Sequence, residues 1–214
     1  MLSAALVSSP AFSTEQAPRQ VWDGMRQQLS KNTGLIAYQI ATSFEAPGDD
    51  GPETGQYSTR VNQLDKEGNP LREHVAGDKK SYKFDAMSLS LAILAANRPE
   101  EFLLSPSTMV FIRDDMVDGE AASVYEVKSS VGKGTYPVLA QVWIRQGMPL
   151  KIDGVVEKLP LPGIKKAAFS LLYTTGENGL SLPKSLQVNY TISIFFHTGQ
   201  VSFQHNFSDW KRKP

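Results

Sequence analysis

The sequence predicts an α+β protein in which a long antiparallel sheet curls around a small number of helices. Two observations lead to this fold class. Apolar and polar residues alternate through a series of short segments, and turn-forming Gly, Pro, Asn and Asp residues separate these segments. Only two segments have the spacing or composition of helices. Two helices cannot cover so many strands, so the sheet must curl onto them.

The first predicted helix is Pro18–Leu29. Trp22, Met25 and Leu29 recur at three- and four-residue spacing, which places them on one face of a helix. A proline suits the first helical turn, and Gly34 is a plausible stop just beyond the end.

The second predicted helix, Phe84–Asn97, is a dense run of leucine and alanine. It is too short to span a membrane, which takes about 20 apolar residues. Two interpretations remain open for it. It is either a buried helix packed on the sheet or a helix that plugs the mouth of a cavity.

The remaining segments read as strands joined by turns. They are Leu35–Phe44, Gln56–Leu64, Leu71–Ala76, Thr108–Arg113, Ala122–Ser129, Pro137–Arg145, Leu150–Lys158, Lys166–Thr175, Leu186–Phe196 and Val201–Phe207. We expect a long loop at Ala46–Pro52 and place the turn of the last hairpin at His197–Gln200. In that hairpin the apolar residues share one face, because side chains on a strand alternate with a period of two.

Composition excludes several classes of function. The 214-residue chain has no net charge, so its composition lacks the excess of basic residues that indicates binding to nucleic acid. It has no cysteine, so disulfides, thiolate zinc sites and a cysteine nucleophile are excluded. No linker divides the chain. We therefore expect one domain at residues 14–214. Residues 1–13 end in a small-x-small pattern, which indicates either the remnant of a secretory signal peptide or a disordered tail.

No constellation of catalytic or metal-ligating residues stands out. The chain has three histidines, none at a metal-ligand spacing, and we expect His205 to be a hydrogen-bonded core residue because it alternates with Phe203 and Phe207. Asp114 and Asp115 lie in an acidic cluster that lacks the order of a calcium loop. An enzyme acting through these two aspartates or His205 is therefore the weakest hypothesis, and we predict no catalytic residue, no metal site and no cofactor.

Several short motifs resemble a known family. These are the run Asp118–Ala122, the strand Val124–Val127, the segment Val142–Ile144 with Gly147–Lys151 after it, Leu182-Pro183 before a long strand, and the ending Phe207–Trp210. Together they are similar to the outer-membrane lipoprotein-sorting carriers and their relatives, and the chain looks like a distant relative of the carriers. The resemblance implies an unclosed antiparallel half barrel with helices packed in its concave face. It also implies a periplasmic protein that handles lipids or acylated proteins, with transient contacts to envelope membrane proteins.

The leading hypothesis is a non-enzymatic protein that binds a lipid, an acyl chain or another apolar ligand in the concave face. The alternative is a protein–protein interaction module with a filled core and no ligand. In either case apolar residues on the strand faces form the lining or the core. The candidate lining residues are Tyr38, Ile40, Phe111, Val142, Ile144, Phe169, Tyr190, Ile192, Ile194 and Phe203.

Overall fold

The computed structural model describes residues 18–48, 50–67, 69–78, 86–131, 134, 136–156, 159, 163–176, 179–194 and 197–213. The expected signal remnant at residues 1–13 lies outside this range, and so do the side chains of Ile194 and Phe196.

Three helices and ten strands follow one another along the described chain. The helices are α1 (Pro18–Ser30), α2 (Ala86–Asn97) and the short α3 (Pro99–Phe102). The strands are β1 (Leu35–Gly48), β2 (Gly51–Leu64), β3 (Pro70–Gly77), β4 (Thr108–Val117), β5 (Glu120–Val131), β6 (Tyr136–Arg145), β7 (Met148–Val156), β8 (Ile164–Thr175), β9 (Ser181–Ile194) and β10 (His197–Arg212).

All ten strands belong to one sheet with the order β3-β2-β1-β10-β9-β8-β7-β6-β5-β4. Every neighbouring pair is antiparallel. The first and last strands in this order do not pair with each other, so the barrel is not closed. The predicted fold class, a curled antiparallel sheet that forms an unclosed half barrel, is confirmed.

Two loop predictions are wrong because the strands run further than the alternation suggested. The segment expected to be a long loop is a tight hairpin in which Gly48 pairs with Gly51, and Gly51 takes a positive φ of 130°. The last hairpin turns earlier than expected, since His197 already pairs with Ile194. Gly199 is therefore a strand residue, where a Cβ would lie 2.6 Å from Pro47 Cγ. A close approach between strands, and not a turn, requires this glycine.

The main hydrophobic core lies between the concave face of the sheet and the helices. α1 contributes one apolar face, formed by Trp22, Met25 and Leu29, each 2% exposed. A second, smaller cluster lies elsewhere on the sheet, where Trp143 packs with Ala122 and Val124. The core therefore depends on helices that pack against the concave face of the sheet, as the resemblance implies. The space enclosed by this concave face is called the bowl below.

Candidate functional site

The concave face brings together most of the residues predicted to line it. Six of them are buried in the main core: Ile40, Val142, Ile144, Phe169, Tyr190 and Phe203. Ile192 is half-buried and packs against the same core. These residues come from strands β1, β6, β8, β9 and β10, so the face crosses the middle of the sheet.

The structure places Tyr38 and Phe111 outside this cluster. The Tyr38 ring lies 4.8 Å from the Nζ atom of Lys211. Apolar residues do not alternate strictly at this point of β1, since Ala37 and Ile40 are three residues apart and both reach the core. On the neighbouring strand β10, Asp209 has a positive φ of 56°, which marks an irregularity in that strand. Phe111 lies on edge strand β4 with 44% of its surface exposed.

All three helices occupy the bowl. α2 packs against β1, β9, β10 and α3. It contributes mainly small side chains to the core, since Ala92, Ala95 and Ala96 are fully buried. Leu91, Ile93 and Leu94 are half-buried and pack against the same core, whereas Ser90 is exposed. The described part of α2 is therefore apolar over most of its circumference, as is typical of a largely buried helix.

α3 fills the centre of the bowl with an aromatic side chain that the strand prediction missed. Phe102 is fully buried, and its ring meets that of Phe169 edge-on at 5.3 Å. Phe169 in turn covers Gly154, where a Cβ would lie 2.2 Å from the ring. The sequence carries a signal for α3, because Pro99 is followed by two glutamates, as in a first helical turn.

A buried polar chain connects α2 to the sheet. His205 on β10 is fully buried and faces the apolar side, as predicted. Its Nδ1 atom lies 2.9 Å from Thr42 Oγ1, and its Nε2 atom contacts Ser88 Oγ on α2. Burial lowers the pKa of His205 to about 3, so the ring is neutral at pH 7. With Ser88 only 1% exposed, the contact positions α2 and offers no accessible nucleophile.

Two buried hydrogen-bond donors of the core lack a partner within the described part of the chain. They are the Nε1 atom of Trp22 on α1 and the hydroxyl group of Tyr173 on β8. Burial, and next the negative charge of Glu100, raise the pKa of Tyr173, so its hydroxyl keeps its proton. An unsatisfied buried donor costs about 1 to 3 kcal/mol. Both groups are suited to donate to an oxygen of a bound molecule.

A depression of about 480 Å³ lies beside the outward side of α2. Ile93 and Leu94 of α2 form part of its wall. Charged residues at its rim include Arg98, Glu101 and Lys213. The depression therefore combines an apolar wall with charges of both signs.

Two arginines lie on neighbouring strands, Arg60 on β2 and Arg72 on β3. Arg60 forms an exposed ion pair with Glu73. Arg72 donates hydrogen bonds to the carbonyl groups of Ala37 and Tyr38, and burial lowers its pKa to about 10. These contacts join strands of the sheet to one another.

Neither a metal cluster nor a membrane-crossing helix occurs in the described residues. No group of three His, Cys, Asp or Glu side chains among them is arranged to hold a metal ion. No helix in the same part of the chain is both long and apolar enough to cross a membrane.

No protein-family model and no curated protein matches the sequence. Among solved structures, a putative outer membrane lipoprotein-sorting protein domain from Vibrio parahaemolyticus is similar at 13% identity and a TM-score of 0.47, covering 92% of this chain and 94% of that one. A LolA superfamily protein from Nitrosomonas europaea is similar at 11% identity and a TM-score of 0.42, covering 94% and 95%. A DUF1329 family protein from Desulfovibrio piger is similar at 12% identity and a TM-score of 0.40, covering 91% and 92%. These three similarities each extend over more than nine-tenths of this chain, at 11–13% identity.

Proposed function

We propose that this protein is a non-enzymatic binding protein that holds a lipid, an acyl chain or another apolar ligand in the concave face of the half barrel. The ligand would take the place now filled by α2. The proposed setting is the bacterial periplasm, and the proposed cargo is a lipid or an acylated protein exchanged with envelope membrane proteins.

The observation that carries the proposal is the character of α2. Its fully buried apolar contacts with the bowl are made by three alanines and Leu89, and its larger side chains Leu91, Ile93 and Leu94 are only half-buried. When such a helix moves outward, the Ser88 hydroxyl is the one polar group among its described buried side chains that becomes exposed to the ligand. By contrast, α1 is anchored by the large buried side chains of Trp22, Met25 and Leu29.

The magnitudes favour exchange of α2 for a long chain. At about 0.8 kcal/mol per buried CH₂, releasing three alanines and one leucine costs about 4 to 5 kcal/mol, and releasing the half-buried Leu91, Ile93 and Leu94 adds about 2 to 4 kcal/mol. Burying an acyl chain of about sixteen carbons contributes about 12 kcal/mol on the same scale. The difference leaves room for the lost Ser88–His205 contact, which is worth about 1 kcal/mol as an ordinary hydrogen bond.

The two unpartnered donors support a ligand with an oxygen atom. Trp22 Nε1 and the Tyr173 hydroxyl are buried in the apolar core without an acceptor among the described residues. A carboxylate, ester or amide oxygen would satisfy such a donor. We therefore propose an acyl compound and not a pure hydrocarbon as the ligand class.

Binding of a fluorescent fatty-acid probe tests the proposal, together with native mass spectrometry after periplasmic expression. We expect saturable probe binding and a co-purifying lipid. The matched variant is Tyr173→Phe, which keeps the ring and removes the buried hydroxyl. This variant should leave the free energy of unfolding unchanged or raise it, and it should lower the affinity for the fatty-acid probe. Absence of both lipid and probe binding would refute the proposal.

The filled bowl favours a second candidate, an interaction module without a ligand. In the described arrangement the six buried lining residues are 0–4% exposed and belong to a core that the helices already pack. Affinity capture from a periplasmic extract separates the two functions. A stoichiometric protein partner in the absence of lipid supports the module.

A further inference from the structure

Strand β4 forms one open edge of the sheet. It pairs with β5 on one side, and no described element pairs with its other side. An edge strand presents a row of unpaired N–H and C=O groups that can pair with another strand. The backbone of β4 is therefore a template for an added strand.

The first half of this edge is apolar. Val110, Phe111 and Ile112 are consecutive and are 57%, 44% and 39% exposed. Natural edge strands are usually protected by charges, prolines or bulges. The opposite edge, β3, begins at a proline and carries Arg72 and Glu73. The apolar half of β4 carries no charge and no proline, and a register shift occurs only at its end, at Ile112.

The second half of the edge is acidic. It begins at Arg113, directly after a register shift at Ile112, the last residue of the apolar half. Arg113 is paired with Asp115. No cation in the described part of the chain forms a salt bridge with Asp114 or Asp118, and both carboxylates are exposed. The edge thus presents an apolar stretch followed by uncompensated negative charge.

We propose that β4 is the docking strand for an extended segment of a partner protein. The partner strand would be apolar opposite Val110–Ile112 and basic opposite Asp114. In antiparallel pairing, its basic residues precede its apolar residues. Main-chain hydrogen bonds would supply affinity, and the apolar and charged pairs would supply specificity.

A second copy of this chain matches the edge less well. When the apolar halves of two copies lie antiparallel with Phe111 opposite Phe111, Asp114 faces the neutral Thr108 of the other copy. The negative charge then stays uncompensated. The charge pattern of the edge therefore favours a basic peptide as the occupant.

Two synthetic peptides provide the test: a labelled Lys-Lys-Val-Thr-Val-Thr-Val and the same peptide with Glu-Glu in place of Lys-Lys. Fluorescence anisotropy should give about fivefold tighter binding for the basic peptide, the size expected for one or two cross-strand charge pairs. The difference should shrink as salt is added. Amide hydrogen exchange should slow in β4 when the basic peptide is bound.

Matched variants assign the peptide to its edge. The double variant Val110→Lys, Ile112→Lys should lose binding, because it places like charge against the peptide and removes its apolar contacts. Leu71→Lys, which adds a lysine at a 41% exposed position on β3, should bind as the wild type does. Circular dichroism and thermal melts verify that each variant is folded.

Three outcomes would overturn the proposal. The first is equal affinity for the two peptides. The second is loss of binding in Leu71→Lys instead of the β4 variant. The third is a wild-type dimer in sedimentation experiments that Val110→Lys makes monomeric, which would assign the edge to a second copy. A saturating fatty acid should not compete with the peptide, so this test is independent of ligand binding in the bowl.

Discussion

Truncation of Phe102 to alanine should strongly destabilise the protein and open space in the concave face. The side chain is fully buried and meets Phe169 edge-on. Removing roughly 100 Å³ leaves a cavity that costs about 2 kcal/mol at about 24 cal/mol per Å³. The lost transfer free energy adds about 1 to 3 kcal/mol. We therefore expect the free energy of unfolding to fall by about 3 to 5 kcal/mol.

Urea denaturation followed by tryptophan fluorescence measures this loss. The matched control is Phe111→Ala, the same change at a 44% exposed site on β4 where the ring packs edge-on against Tyr125, and it should lower the free energy of unfolding by about 1 kcal/mol. If the bowl binds acyl chains, Phe102→Ala should also bind the fatty-acid probe more tightly than the wild type, because the ring no longer fills the site. A loss below about 1 kcal/mol, or one equal to that of Phe111→Ala, would refute the packing on which this reasoning depends.

Three further predictions test other parts of the structure. Burial lowers the pKa of His205 from 6.5 to about 3, so between these pH values the unfolded chain binds a proton that the folded chain does not. The free energy of unfolding should therefore fall by about 1.4 kcal/mol per pH unit as the pH drops below 6.5. Denaturation at pH 7.5 and 5.5 should show this loss, and His205→Gln should remove it. Gly154→Ala places a methyl group against the ring of Phe169 and should lower the free energy of unfolding by about 1 to 3 kcal/mol. Gly24→Ala has open space around the new Cβ and should raise the free energy of unfolding by about 0.4 to 1 kcal/mol. Thermal melts of both variants test the difference, and equal effects would contradict it. The indole N–H of Trp143 donates a hydrogen bond to Asp115 and is the main cause of the lowered pKa of that carboxyl group. Trp143→Phe removes this donor, so the pKa of Asp115 should rise in an NMR titration. An unchanged pKa would exclude the Trp143–Asp115 hydrogen bond.

The sheet could be predicted because its signals are local. Alternation of apolar and polar residues marks the strands, and glycine-rich turns separate them. The face shared by Tyr190, Ile192 and Phe203 follows from the same period of two, and the structure confirms that they pack on one core. Strand ends were less predictable, because Pro47 and Gly199 look like turn residues until the neighbouring strand is in place.

The contents of the bowl could not be predicted in the same way. Nothing local to Phe102 indicates that it meets Phe169, since that contact depends on how the sheet curls. Tyr38 was misplaced because an irregularity on the neighbouring strand, at Asp209, interrupts the alternation. Whether α2 is a fixed part of the core or a displaceable plug depends on relative free energies, which no residue pattern encodes.

The most direct measurement of the central claim is the distance between α2 and the sheet with and without ligand. The chain has no cysteine, so spin labels can be attached at Ser90→Cys on α2 and Asn206→Cys on β10, both exposed positions. Labels at Leu139→Cys and Asn206→Cys, both within the sheet, serve as the control pair. If acyl ligands replace α2 in the bowl, a saturating sixteen-carbon fatty acid should lengthen the α2–sheet distance and leave the control distance unchanged. A fatty acid that binds to saturation while the α2–sheet distance stays constant would contradict the account.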